Sequence, residues 1–494
     1  MRLAYQSQAR FDCPRVDAIQ LNLNCRDEII PILRALQHLY GDSSARQEIL
    51  DLVGKDVNDA SSRKHGRGGL DYWSIIVLAA VRLGCNFDYD KLQDLAEQHR
   101  NLRWMMGIGD WQVHTELDWR RIRDNVCLLR PPTLEKINQV VVGCGHELEP
   151  EAITEVRGDT FVVETNIHYP TESSLIGDGL RKVITLAAKM ADQHDLPGWR
   201  QHLHLLKNVK QLVREIGRAS RAKRRGADRL KPGYKQLLAL AEEQMQRARQ
   251  LLQTLTFRLL DLDMTGLGID VQKRELLHYM GLTEKVCDTA RRRVLEGEAV
   301  PNEDKLFSIF EPHTELIKRG KQPDPIQYGH RVLVIEDAVG FICHYQVADN
   351  GVLDQDLMVP VMKKLQQRFG GRIQRASFDR GFHTPDNQQK LADLVPHPCI
   401  PKKGSVVGRK QQAEASVQFR EARQNHPGVE SAIGALQSGN GQERCRDKSE
   451  EGYERYVGLG MLGRNLQTLG KLLLAQEDAK CQAAKSKRKK KKAA

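Results

Sequence analysis

Three acids far apart in the chain stand where carboxylates are placed to hold hard cations. Asp159 precedes residues 160–165 (Thr, Phe, Val, Val, Glu, Thr), an alternating, β-branched stretch that predicts a short buried strand with Asp159 at its mouth. Asp379 ends a second predicted strand over 373–378; Gly381 then permits a sharp turn, and Thr384 with Pro385 opens a helix as cap and first-turn residue. Glu430 lies in the first turn of a helix announced by Asn425, His426, Pro427 and Gly428, beside an apolar stripe of Val429, Ile433 and Leu436. Mg²⁺ or Mn²⁺ takes carboxylate oxygens, and one or two protein carboxylates per ion suffice when phosphate and water complete the shell. Two such ions, roughly 3.5 to 4 Å apart, activate a water or 3′-hydroxyl and stabilise the pentacovalent transition state of phosphodiester chemistry. Acids in such places also serve as turn, cap or helix-dipole residues, and Glu443, Glu450, Glu451 and Glu454 compete for the third position.

The chain leaves the first strand through Asn166, His168, Tyr169, Pro170 and Thr171, a polar exit of the sort on which sites are built. Asn166 and His168 lie close enough in sequence to Asp159 to orient phosphate or water, or else to satisfy local backbone. From about 180 to 316 the sequence reads almost entirely as helices. Within it Lys207, Lys210, Arg214, Arg218, Arg221, Arg224 and Arg225 crowd a segment with few acids. Like charge at this density repels itself unless an anion is present, which points to DNA contact. Lys231, Pro232 and Gly233 predict a turn, after which residues 234–261 resume as an amphipathic helix suited to a helical hairpin or a dimer surface.

ETNIHYPTESSLIGDG, then SFDRGFHTPDN, then HPGVESAIGAL followed by ERYVGLGMLGRN closely resemble, in order, the signature blocks of bacterial insertion-sequence transposases of the ISNCY type. These belong to the DDE group, and the resemblance spans roughly residues 25–470. It implies a ribonuclease-H-like catalytic domain, an N-terminal region that binds the element's ends, and Asp159, Asp379 and Glu430 as ligands of two Mg²⁺ (or Mn²⁺) ions. It also implies a homodimer on double-stranded DNA, both element ends and target, and a cytoplasmic, nucleoid-associated location. A Tyr, Arg, Glu, Lys signature surrounds the last acid of better-known relatives; here those places hold Arg423, His426, Glu430 and Gln437. The phosphate-gripping Lys is therefore missing, with Arg420, Arg423 or Arg464 as substitutes.

The positioning elements follow the same plan. Strands are expected at 328–337 and 340–347, a hairpin, then a helix over 357–369 before the strand that delivers Asp379. With the helical stretch set aside, the order is β, β, β, α, β, that of a ribonuclease-H-like fold. A further strand between 261 and 270 would make an insertion after the first strand unnecessary. Upstream, helices are expected at 27–40, from Ser44 with Gln47 as a capping box, and at 71–84, 88–99, 118–129 and 133–142, with Arg120, Arg121 and Arg123 as one candidate DNA-reading set. The loop 61–69, rich in glycine and positive charge, is a candidate phosphate contact. The expected class is mixed α/β. A helical DNA-binding domain (1–150) precedes a catalytic domain (151–179 and 325–475), which a basic helical insertion (180–324) interrupts. A disordered basic tail (476–494) ends the chain.

Composition sets the frame. A chain of 494 residues suggests two or three domains, and 76 Lys and Arg against 64 Asp and Glu, net +12, favours a polyanionic partner. Ten cysteines scattered without C-x-x-C or zinc-finger spacing predict reduced thiols in a cytoplasmic protein. No apolar run approaches the length of a membrane span. Within the longest run, 75–81, Arg82 follows at once, which suits a buried helix.

Overall fold

Asp42, Asp71, Asp88 and Asp118 open four helices alike, each accepting an N–H that the first helical turn would otherwise leave unpaired. In the computed structural model, which describes residues 3–5, 10–23, 25–60, 69–112, 117–222, 227–260, 266–318, 325–402, 414 and 416–493, the N-terminal helices are α1 (Ile29–Gly41), α2 (Ser43–Ala60), α3 (Tyr72–Gly84), α4 (Tyr89–Gln98), α5 (Arg100–Met105), α6 (Trp119–Val126) and α7 (Pro131–Leu148). α2 starts one residue before the expected cap Ser44, because Asp42 accepts from both Ser44 and Ala45. The loop 61–69 lies, but for Gly69, outside the described residues.

The chain divides into two compact units: residues 1–165 with 329–494, and residues 166–328. In the first, β1 (Glu155–Thr165), β3 (Ile326–Asp337), β4 (Ile342–Val347), β5 (Arg375–Phe378), β6 (His397–Cys399) and β7 (Arg444–Cys445) form a mixed sheet. β3 pairs antiparallel with β1 and with β4; β5 pairs parallel with β1 and with β6. α12 (Asp354–Arg368) and α13 (Pro385–Leu394) flank β5 in sequence, and α14 (Val417–Asn425), α15 (Pro427–Gly439) and the long α16 (Glu450–Ala493) follow. The fold is thus mixed α/β. The expected hairpin, the helix before Asp379 and the Thr384 cap, which accepts from the Asn387 N–H, are all present.

β1 is longer than the sequence suggested. It begins at Glu155, so Asp159 sits inside the strand opposite Val334 rather than at its mouth. Glycine and charge at 157–159 disguise a strand whose alternation is set by its neighbours. α16 was not anticipated from pattern either; it packs against α1, α3 and α7, and its helical backbone takes in the lysine-rich stretch expected to be disordered. Gly463 and Gly84 let α16 and α3 approach so closely that a Cβ on Gly463 would lie 2.6 Å from the Gly84 backbone. Arg82, inside the apolar helix α3, is buried and paired with Asp447 at 2.5 Å while stacked on Tyr89.

The second unit is a bundle of α8 (Glu172–Gln193), α9 (His202–Arg221), α10 (Ala227–Leu260) and α11 (Gly266–Ala290), followed by a short strand, β2 (Glu315–Lys318). α10 runs through Pro232, which overturns the predicted turn. The proline is the sixth residue of the helix, where it removes one hydrogen bond near the start, and Gly233 gives room for Ile216 of α9. The leucines of α10 (Leu237, Leu251, Leu255) are buried in this bundle's core. Residues 266–270 are helical, and 261–265 lie outside the described residues. All ten cysteines are free, and among the described residues no helix is long and apolar enough to cross a membrane.

Asp337, at the end of β3, is the deepest polar anchor. Its Oδ1 accepts the N–H groups of Val339, Gly340 and Phe341 (2.9–3.0 Å), and its Oδ2 meets His146 Nε2 of α7 at 2.8 Å. One fully buried carboxylate therefore closes the β3–β4 turn and ties it to α7. Asp337→Ala should lower unfolding free energy by roughly 3 kcal/mol or more, since several buried donors lose their acceptor at once. Urea melts measure this, and a loss below about 1 kcal/mol would show that water or another group replaces the anchor.

Candidate active site

β1 and β5 run parallel with Gly158 opposite Phe378, so the next residue on each chain is Asp159 and Asp379. Paired positions on neighbouring parallel strands present the same face, and the strands lie about 4.8 Å apart. The register thus sets the two carboxylates side by side. β5 ends at Phe378, whereas β1 continues to Thr165 and next pairs with β7 at Glu164 and Thr165. Among the described residues no strand covers 159–163 on that flank, and the carboxyl end of a parallel strand at such an opening is where α/β sheets bind ligands.

Glu430 arrives from above on α15. Gly428, in the first turn of that helix, lies so close to Arg157 that a Cβ there would come within 1.9 Å of the guanidinium. Arg157 precedes Asp159 by two residues and therefore shares its face of the sheet. Its Nη1 donates to the Asn425 carbonyl (2.9 Å) and its Nη2 to the Asp337 carbonyl (2.7 Å). One side chain ties the entry of α15 to the end of β3 across β1, which holds Glu430 on the side of Asp159.

The acids share one electrostatic field. Burial pushes Asp159 up to about 6; the Thr160 N–H, 2.7 Å from its Oδ1, opposes this, and the carboxylates of Asp379, Asp354 and Glu430 raise it further. Asp354, the first residue of α12, is a fourth acid that sequence pattern did not single out, and its Oδ1 accepts from Arg331 at 3.1 Å. Among the described residues, the side chains of Asp379 and Glu430 have no hydrogen-bond or ion-pair partner. Asp379 and Glu430 are exposed, and such hard-oxygen donors beside the more buried Asp159 are of the type that divalent cations such as Mg²⁺ take.

The three acids do not close around a single ion. Among the described residues the group whose donor atoms all fall within 4.8 Å is His146, Asp337 and Cys343, and the hydrogen bonds of Asp337 account for it.

In the sequence His426 stands out as part of a helix start and as a departure from the family pattern. At the start of α15, 2 % exposed, its Nδ1 meets Ser377 Oγ at 3.2 Å, and its buried Nε2 has no partner. Burial, with Arg423 nearby, holds the imidazole below its ordinary range, while Asp379 and Glu430 pull the other way. Ser377 precedes Asp379 by two on β5, so the bond fastens the helix carrying Glu430 to the strand delivering Asp379. The alternation Arg157, Asp159 and Ser377, Asp379 was the available signal, hidden because the start of β1 was misplaced.

The remaining candidates scatter. Asn166 and His168 belong to the second unit, where His168 lies 3.6 Å from Asp178. Lys207, Lys210, Arg214, Arg218 and Arg221 are exposed on α9, and among the described residues none has an ion-pair partner. At 3.6 residues per turn they fall within an arc of about 80°, opposite the buried Val209 and Ile216. Arg224 and Arg225 lie outside the described residues. Arg423 is exposed on α14. Arg464 is half-buried on α16, near enough to Glu336 to pull that carboxyl down while burial pushes it up to about 7. In the N-terminal set, Arg123 is paired with Asp124 at 2.8 Å. No family model, curated protein or solved structure matches the chain.

The raised Asp159 has a measurable consequence. Its folded value lies above the ordinary 3.8, so its contribution to stability declines as pH rises from about 4 to about 6, and above that its ionisation costs on the order of 3 kcal/mol. Asp159→Asn should therefore be more stable than wild type at pH 8 in EDTA, by about 1–3 kcal/mol, and Mg²⁺ should stabilise wild type but not the variant. Urea melts with and without Mg²⁺ test this; equal Mg²⁺ stabilisation of both would remove Asp159 from the cation site.

Proposed function

We propose that this chain is a DDE transposase, which binds the ends of a mobile element in double-stranded DNA, cuts the flanking strands and joins the freed 3′-hydroxyls to target DNA. The observation carrying the reading is the register that pairs Asp159 with Asp379, with Glu430 in the same field. The strand order β4-β3-β1-β5-β6, with the first three antiparallel and the last three parallel, supports reading the sheet as that of a ribonuclease-H-like domain. On this reading the second unit is an insertion after the first strand, and the protein acts as a dimer at the bacterial nucleoid.

Asp159, Asp379 and Glu430 would hold the two cations. When bound, such ions lower the pKa of the attacking water or hydroxyl and neutralise charge on the phosphorus oxygens. Arg157, Ser377 and His426 fix where the acids stand. The basic face of α9 supplies sequence-independent attraction to phosphate, and no charged partner must be displaced to use it. Neither Gln437 nor the half-buried Arg464 supplies an exposed cation to grip a terminal phosphate, so the exposed Arg420 or Arg423 takes that role in this reading.

Labelled DNA carrying the sequences that flank this chain's own coding region provides the assay. Wild type with Mg²⁺ should give cleaved and joined products, and Asp379→Asn should bind the DNA equally while losing at least about 10³-fold in both steps. Cleavage without joining would indicate a nuclease on the same fold. Binding without either step in wild type would indicate a DNA-binding protein with a dead site, and full activity in the variant would overturn the acid assignment.

Reversing charge on α9 separates binding from chemistry. Lys210→Glu with Arg214→Glu should weaken binding to any duplex, and each lost phosphate contact should reduce the salt slope by about 1. An unchanged slope would show that this face does not meet DNA.

A further inference from the structure

The second unit contains a cavity of 230 Å³ that the carboxylate site does not account for. Its wall includes Tyr169, Phe307 and Tyr328, with Arg293, Lys305 and Glu172 among the polar lining. Tyr328 lies edge-on to Tyr169 (ring centroids 5.9 Å, 90°) and tilted against Phe307 (5.6 Å). Tyr169 is nevertheless 72 % exposed, so one face of an already oriented ring is left to solvent. Arg293 is paired with Glu172 at 2.6 Å, whereas among the described residues Lys305 meets only the neutral Asn302. The cavity is smaller than the roughly 300 Å³ at which drug-sized sites begin. What suits it is a flat group of one or two rings with a polar edge and a negative tether.

We infer that this cavity takes an unstacked nucleobase of bound DNA, stacked on the exposed face of Tyr169 with Tyr328 and Phe307 walling the cavity beside it and the adjoining phosphate toward Lys305. The inference rests on the transposase reading for its ligand and on the cavity for its place. Base-on-aromatic stacking contributes about 1–3 kcal/mol per base and needs no particular sequence, which suits a site whose walls offer rings and mixed donors rather than a fixed hydrogen-bond code.

The test uses the full chain and a duplex ending in a short single-stranded overhang, with 5-iododeoxyuridine placed at successive overhang positions. Irradiation followed by mass spectrometry should find the cross-link on Tyr169, Phe307 or Tyr328. Tyr169→Ala, a surface change that leaves the core intact, should abolish it and weaken overhang binding about five-fold or more, with blunt-duplex affinity unchanged by anisotropy. Cross-links confined to other residues, or equal overhang affinity in the variant, overturn the cavity assignment alone. If wild type binds neither DNA, the transposase reading fails and this inference fails with it.

Discussion

A single strand register governs the arrangement: Gly158 opposite Phe378 in the parallel pairing of β1 with β5. A slip of one residue would send Asp159 to the other face of the sheet, away from Glu430. The register is held from both faces. On the buried one, a Cβ at Gly158 would lie 2.3 Å from the Phe378 ring, so only glycine lets Phe378 settle there against Phe382. On the other, Arg157 and Ser377 stand opposite one another and bond the segment leading into α15, through Asn425 and His426. Packing fixes the strands, and two polar contacts then carry the third acid to them.

Those contacts come at an electrostatic cost that the Thr160 N–H offsets only in part. Asp159 is pushed toward neutrality by burial and by three neighbouring carboxylates, while the side chains of Asp379 and Glu430 lack partners among the described residues. A purely structural acid at a turn or helix start usually accepts hydrogen bonds, as Asp42, Asp71, Asp88 and Asp118 do here. Asp379 and Glu430 do not act as capping acids of that kind. On α9 the sign is opposite and the logic the same: five exposed cations on one face repel each other until an anion arrives. Local self-repulsion of both signs in one protein is understandable if the ligand is a polyanion that brings its own divalent cations.

The sequence disclosed the elements with strong period and clear punctuation. Thr384 with Pro385, the β3–β4 hairpin and α12 all stand where alternation, helical spacing and capping chemistry put them. Two kinds of feature were hidden. β1 begins five residues before its obvious β-branched run, because Arg157, Gly158 and Asp159 carry low strand propensity and owe their conformation to β3 and β5. The start of α10 was concealed by Pro232 and Gly233, whose ordinary meaning is a turn. The acids Asp159, Asp379 and Glu430 were legible by residue type and position, but Arg157, Asp354 and the bonding of His426 were not, because each depends on which residue lies opposite across strands.

The same register explains how a whole helical unit can follow the first strand without disturbing the site. β1 and β3 are antiparallel neighbours, and Glu164 pairs with Gly329. The chain therefore leaves β1 and returns on β3 at adjacent positions, the geometry that a two-residue hairpin turn would otherwise close. Gly329 is what the close return demands, since a Cβ there would lie 2.0 Å from the Val163 carbonyl. Any module whose own ends meet can stand in place of that turn, and the closure entropy it adds grows only slowly with length. Residues 166–328 do so with a bundle that has its own apolar core. Asp159 and Asp379 are placed by strands paired on the far side of β1, so their geometry is independent of what the chain does between Thr165 and Gly329.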